Sequence, residues 1–174
     1  MSGLVNKWVQ FEVIRGHEMG KEQRTVLIVD DEESIRDLIK YKLEMEGYEC
    51  EQASSGDEAL YKAFMKDFDI MLLDIKMPGL SGIEVLKKAL VDHPDASILM
   101  ITAVMDTNTA VEAMREGAYD YVTKPFDLED LSMRVARALE RRRLILENKE
   151  YQIRLEQKVK DQSLRIEELH DRKK

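Results

Sequence analysis

The chain has 174 residues, 44% hydrophobic and 36% charged, enough to give one folded domain with an appendage a core to bury. Its formal charge of −8 argues against nucleic acid as the main ligand, and the acidity sits in residues 1–126, with 24 acidic and 14 basic groups, whereas residues 127–174 carry 11 and 13. Cys50 is the only cysteine, which excludes an internal disulfide, and no apolar run is long enough for a signal or a membrane span, so a cytoplasmic protein without a membrane partner is expected.

Residues 1–23 hold Trp8, Val9, Phe11, Val13 and Ile14, which hint at a short strand or docking segment. Met19-Gly20 would make a natural beginning, and the codons allowed for Arg15-Gly16 include a purine-rich ribosome-binding pattern, so residues 1–23 are expected to be a disordered extension or a start-site artefact. From there short apolar runs alternate with helical spacings. Val26–Val29, Ile70–Leu73 and Ile98–Ile101 are apolar runs of strand length, as in a parallel sheet covered on both faces. Ile35, Leu38, Ile39 and Leu43 fall at helical spacing, as do Ala59, Leu60, Ala63 and Phe64 behind the capping-box pattern Ser55-Gly56-Asp57-Glu58, and Ala110, Ala113 and Met114 ahead of Gly117. With Tyr48–Ala53 and Tyr119–Thr123 as weaker strands, the order is βα five times, an α/β fold with right-handed crossovers.

Ligands of such sheets gather at the carboxyl ends of the strands. There the chain places Asp30-Asp31, Asp74, Thr102 and Lys124. Converging carboxylates repel, and a hard divalent cation or a neighbouring ammonium relieves them, so the acidic knot in LIVDDEE reads as half of a magnesium site. Glu32 and Glu33 read instead as ordinary first-turn helix residues.

The stretches LIVDDE, MLLDIKMPGLSG, ILMITA and DYVTKPF, with successive spacings of 43, 28 and 22 residues from Asp31 to Asp74, Thr102 and Lys124, resemble the receiver domain of two-component response regulators over about residues 24–140. The resemblance implies a flavodoxin-like fold of strand order 2-1-3-4-5, and Asp74 as acceptor of a phosphoryl group from a sensor histidine kinase. It also implies Mg2+ held by Asp31, Asp74 and the backbone carbonyl of Lys76, with Asp30 acting through a water, and Thr102 and Lys124 gripping the phosphoryl oxygens. Tyr121 then matches the family's aromatic switch beside Thr102, and Pro125 its cis peptide. Gly79 and Gly82 let the loop turn near the site or are simple turn residues. Neither Lys76 nor Val104 is a water-positioning amide or carboxylate, which implies a long-lived phosphoryl group. Such a domain is a signalling receiver rather than an enzyme, catalysing only its own phosphotransfer and slow dephosphorylation. A haloacid-dehalogenase-like phosphatase is disfavoured because Lys76 stands where its second aspartate belongs, and a phosphorylation-independent adaptor with the same fold is the alternative.

Asp127, Asp130 and the pair Phe126/Leu131 form the start of a helix that meets no proline or glycine before Lys174. Residues 141–174 are expected to continue the last receiver helix as a coiled-coil connector that dimerises. One heptad frame has Leu131, Ala138, Ile145, Gln152, Val159 and Ile166 at one core position, and Leu128, Val135, Arg142, Lys149, Glu156, Ser163 and His170 at the other. The second position is mostly polar, and the competing stripe Leu139, Leu146 and Ile153 suggests a register change. The run Arg141-Arg142-Arg143 reads as a solvated face, since no DNA-reading motif follows it. LENKEYQIRLEQKVKDQ resembles connectors that precede HD-GYP phosphodiesterase or other output domains, so an output domain beyond residue 174 is expected.

Overall fold

A computed structural model describes residues 24–103 and 107–171. In chain order they form β1 (Thr25–Val29), α1 (Glu33–Met45), β2 (Glu49–Ala53), α2 (Gly56–Met65), β3 (Ile70–Asp74), α3 (Gly82–Asp92), β4 (Ser97–Ala103), α4 (Thr107–Arg115), β5 (Asp120–Lys124) and α5 (Leu128–Asp171). The strands pair in one parallel sheet of order β2-β1-β3-β4-β5, the flavodoxin-like α/β arrangement expected from the sequence. Trp8 and the other apolar residues of the first 23 lie outside the described residues, as does Val104.

Because side chains alternate along a strand, the sheet feeds two cores, one on each face. Val26, Ile28, Ile70, Leu72, Leu99, Ile101 and Val122 meet Ile39 and Leu43 of α1 and Leu131, Val135 and Ala138 of α5. Leu27, Val29, Met71, Leu73, Ile98 and Met100 meet Ala59 and Ala63 of α2, Val85, Leu86 and Ala89 of α3, and Ala113 of α4. Cover on both faces is why the central strands read as unbroken apolar runs.

The helices bury narrower stripes than their apolar spacing promised. Leu38, Phe64 and Met114 are 46%, 80% and 41% exposed. In α1 and α2 the buried pairs Ile39/Leu43 and Ala59/Ala63 set the face on the sheet, and Leu38 and Phe64 lie roughly 120° round from its midline. The expected box at Ser55 is half made: Ser55 Oγ accepts the Glu58 N–H, but the Glu58 carboxylate takes the N–H and hydroxyl of Ser54 instead. A complete reciprocal box forms at Ser81 and Glu84.

Asp127 Oδ1 accepts the N–H groups of Glu129 and Asp130 at 2.8 and 3.0 Å and so starts α5, whose 44 residues extend about 66 Å. The expected heptad frame needs correction over its first half. Leu131, Val135 and Ala138 are buried in the chain's own core. Arg142 Nη1 reaches Asp69 Oδ1 at 2.7 Å, and Lys149 Nζ reaches Asp95 at 2.6 Å, so these two positions face the chain's own sheet domain. Arg141 lies over the Tyr119 ring and Arg143 pairs with Glu140 and Glu147, so the basic run is engaged within the chain. Among the described residues no helix is long and apolar enough to cross a membrane.

Candidate functional site

Sheet register assembles the site. Val29 pairs with Leu73, so one step on Asp30 stands beside Asp74, and β4–β5 pairing sets Lys124 opposite Ala103 at the same edge. Alternation continues Val26 and Ile28 into Asp30, Ile70 and Leu72 into Asp74, and Val122 into Lys124, which gives all three the same side of the sheet. Thr102 follows Ile98 and Met100 on the other side. The peptide from Lys124 to Pro125 is cis.

Lys124 Nζ lies 2.7 Å from Asp30 Oδ2, 3.1 Å from Asp74 Oδ1 and 3.8 Å from Glu32 Oε1. Glu32 is therefore more than a first-turn helix residue, whereas Glu33 does open α1. Asp30 and Asp74 are buried while Asp31 is exposed, and one carboxylate oxygen from each lies within 4.8 Å of the others. Burial pushes the Asp74 carboxyl up to about 6, against the pull of Lys124 and with the repulsion of Asp30 and Asp31 behind it. Burial alone would lower the Lys124 ammonium, but its hydrogen bond to Asp30 and the charges of Asp74 and Asp30 hold it above the ordinary lysine value.

Three carboxylates against one ammonium leave an excess of hard anionic oxygen, the donor set that suits magnesium. Oxygens across an octahedral magnesium stand about 4.2 Å apart, and one oxygen from each of these three lies within 4.8 Å of the others. The cluster fits a divalent cation.

Asp30 is held from two sides: its Oδ1 accepts the Glu32 N–H at 2.9 Å, and its carbonyl accepts from Arg36 Nη1 at 2.7 Å. Sequence reasoning missed Arg36, because nothing distinguishes it there from a solvated helix arginine. It also missed the Ser81 box, although the Ser-x-x-Glu spacing was legible. Gly82 is settled by a close approach: a Cβ there would lie 2.2 Å from the Asp74 carbonyl oxygen. Gly79 adopts φ of 80°, a turn that glycine favours. Thr102 is buried with its hydroxyl on the Ala103 carbonyl at 3.3 Å, while Tyr121 is 40% exposed on β5. Lys76 is exposed, and from it an open groove of about 740 Å³ runs between Asp31, Pro78, Lys87 and Glu112.

A family model described as the response regulator receiver domain matches residues 26–136. The chain is 40% identical over 115 residues to the regulatory protein AtoC of Escherichia coli (strain K12), covering 66% of this chain and 25% of that protein. It is 42% identical over 118 residues to the alkaline phosphatase synthesis transcriptional regulatory protein PhoP of Bacillus subtilis (strain 168), covering 68% and 49%. It thus spans between a quarter and half the length of these curated relatives. The crystal structure of a response regulator receiver domain protein from Clostridium thermocellum superposes with a TM-score of 0.67 at 35% identity, covering 70% of this chain and 98% of that one. The sheet order, the aspartates at its edge and these likenesses agree, and the chain belongs to the response regulator receiver family.

Proposed function

We propose that Asp74 accepts a phosphoryl group from a phosphohistidine of a sensor histidine kinase in the cytoplasm. The observation that carries this is the buried Asp74 carboxylate held 3.1 Å from Lys124 and grouped with Asp30 and Asp31. In the reaction an Asp74 oxygen bonds to phosphorus, the P–N bond breaks, and its electron pair leaves on the imidazole nitrogen, which then binds a proton. Negative charge approaches negative charge, so the ammonium of Lys124, fixed before reaction, stabilises the charge that develops. Asp31, Asp74 and the Lys76 carbonyl would hold Mg2+, with Asp30 acting through a water, and the bound cation supplies further neutralisation of phosphoryl oxygens. The open groove from Asp31 to Lys87 supports access for the donor.

Residues 24–140 act as the receiver and 141–174 as the connector. Thr102 turns to a phosphoryl oxygen, Tyr121 follows it inward, and the changed face reaches α5, which pairs with a second copy and leads to an output domain. The exposed lysine at 76 supports slow dephosphorylation, since it offers no carboxylate or amide to orient water. Acetyl phosphate with magnesium should add one phosphoryl group by intact mass, and Asp74→Asn or a chelator should abolish it. Stoichiometric phosphorylation of Asp74→Asn would overturn the assignment.

A further inference from the structure

Strand β1 ends at Val29 and β2 at Ala53, and beyond them the Asp30 N–H still donates to the Ala53 carbonyl at 3.2 Å. Asp30 is fully buried, so its own carbonyl needs a donor from elsewhere. Arg36, in the first turn of α1, supplies it: Nη1 donates to the Asp30 carbonyl at 2.7 Å, while the Arg36 N–H donates to the Glu32 carbonyl at 3.1 Å. The Glu32 N–H in turn donates to Asp30 Oδ1 at 2.9 Å. Asp31 therefore stands between two residues that Arg36 holds, one by its side chain and one by its backbone. The Asp31 carboxylate is exposed, and among the described residues no hydrogen bond or ion pair reaches it. Its direction is set by the backbone that carries it. The guanidinium is itself aimed: Nε donates to Gln52 Oε1 at 3.4 Å, and Gln52 Nε2 donates to Asp37 Oδ1 at 2.9 Å. An ionised carboxylate only accepts, so Asp37 fixes the Gln52 amide with its oxygen toward Arg36.

We infer that Arg36 is a positioning residue for the divalent cation: by holding the peptide between Asp30 and Asp31 it aims the Asp31 carboxylate at Asp74, and Gln52 and Asp37 hold Arg36 in turn. The inference rests on the proposed magnesium site and adds to it a group that touches neither the metal nor the phosphoryl oxygens. Charge alone would give Arg36 the opposite effect. A guanidinium beside the site repels a cation, so a role through charge predicts tighter magnesium binding when Arg36 is removed, whereas positioning predicts weaker binding. A merely structural role predicts lower stability with the affinity of the folded protein unchanged.

Magnesium titrations of the full chain, followed by the amide resonances of the folded protein, give the dissociation constant apart from any change in stability. Arg36→Ala should raise it about tenfold, the scale expected when a partner that orients a metal ligand is lost. Arg36→Lys keeps the charge and reaches the Asp30 carbonyl but not Gln52 as well, and Gln52→Ala changes no charge; each should raise the constant about threefold. Arg142→Ala, which breaks an arginine pair at the opposite edge of the sheet, should leave it unchanged. An unchanged or lower constant in Arg36→Ala overturns the inference, as does an equal loss in Arg142→Ala. Should Arg36→Ala not fold, unchanged constants in both Arg36→Lys and Gln52→Ala overturn it instead. Acetyl phosphate labelling, read by intact mass on the wild type, separates the two readings. A phosphorylated, magnesium-binding wild type whose affinity survives Arg36→Ala sinks this inference alone. Weakened magnesium binding in Arg36→Ala, with a wild type that takes no phosphoryl group, upholds it and sinks the phosphoacceptor reading alone. A wild type that does neither sinks both.

Discussion

Replacing Asp74 by asparagine should stabilise the metal-free protein even as it removes the proposed phosphoacceptor. Asp74 is 4% exposed, and its carboxyl stands at about 6 in the fold against 3.8 ordinarily. At roughly 1.4 kcal/mol per pH unit, holding that group ionised costs the folded state about 3 kcal/mol at neutral pH. Asparagine removes the charge but is an imperfect match for a protonated carboxyl, so the expected gain is about 1–3 kcal/mol, or roughly 4–10 °C in Tm. The folded pKa is raised, so the penalty is complete above pH 6 and fades as pH falls from there toward 4. Thermal melts by circular dichroism in chelator should therefore show Asp74→Asn above the wild type at pH 8, with the gap closing toward pH 5. Magnesium should also close it, because the cation stabilises the wild type by mass action. A lower Tm for Asp74→Asn at pH 8 in chelator, or a gap that ignores pH, would refute the account of a strained buried carboxylate.

Lys124→Ala leaves Asp30 and Asp74 without their ammonium and should cost about 1–3 kcal/mol by urea melts in chelator, much of it recovered with magnesium. That variant should still fold, but phosphorylation should no longer alter its self-association by light scattering; a full response would count against the lysine as reader of the phosphoryl group. Gly82→Ala places a Cβ 2.2 Å from the Asp74 carbonyl oxygen, and a loss of about 2–4 kcal/mol in urea midpoint analysis is expected, against no more than about 1–2 kcal/mol for Gly79→Ala. Arg142→Ala frees the helix from Asp69 and should cost about 1 kcal/mol, with faster amide exchange over residues 142–150; unchanged exchange there would mean the pair does not hold the helix.

The βα alternation and the polar residues at the sheet edge were legible in the sequence because they follow from local rules, whereas the strand order came from the resemblance to receiver domains. Unbroken apolar runs report strands covered on both faces, and polar residues that end such runs fall at one edge of a parallel sheet, so Asp30, Asp31, Asp74, Thr102 and Lys124 could be named without coordinates. What the sequence left open depends on where a neighbour stands in space. Phe64 and Leu38 share the apolar spacing of their buried neighbours, but the close seating of Ala59, Ala63, Ile39 and Leu43 on the sheet decides which side of each helix is covered. Glu58 turned to Ser54 while Glu84 completed its box, a choice between equivalent local partners. Gly82 became indispensable only once the Asp74 carbonyl lay against it. The same holds for α5. Its composition announced a long helix, but the heptad pattern could not tell a face that packs on its own sheet from one left exposed, since both carry apolar side chains at three- and four-residue steps. Asp69 and Asp95, distant in sequence, hold Arg142 and Lys149 and thereby fix the rotation of the helix that leaves Leu144, Tyr151, Leu155, Val159 and Ile166 exposed.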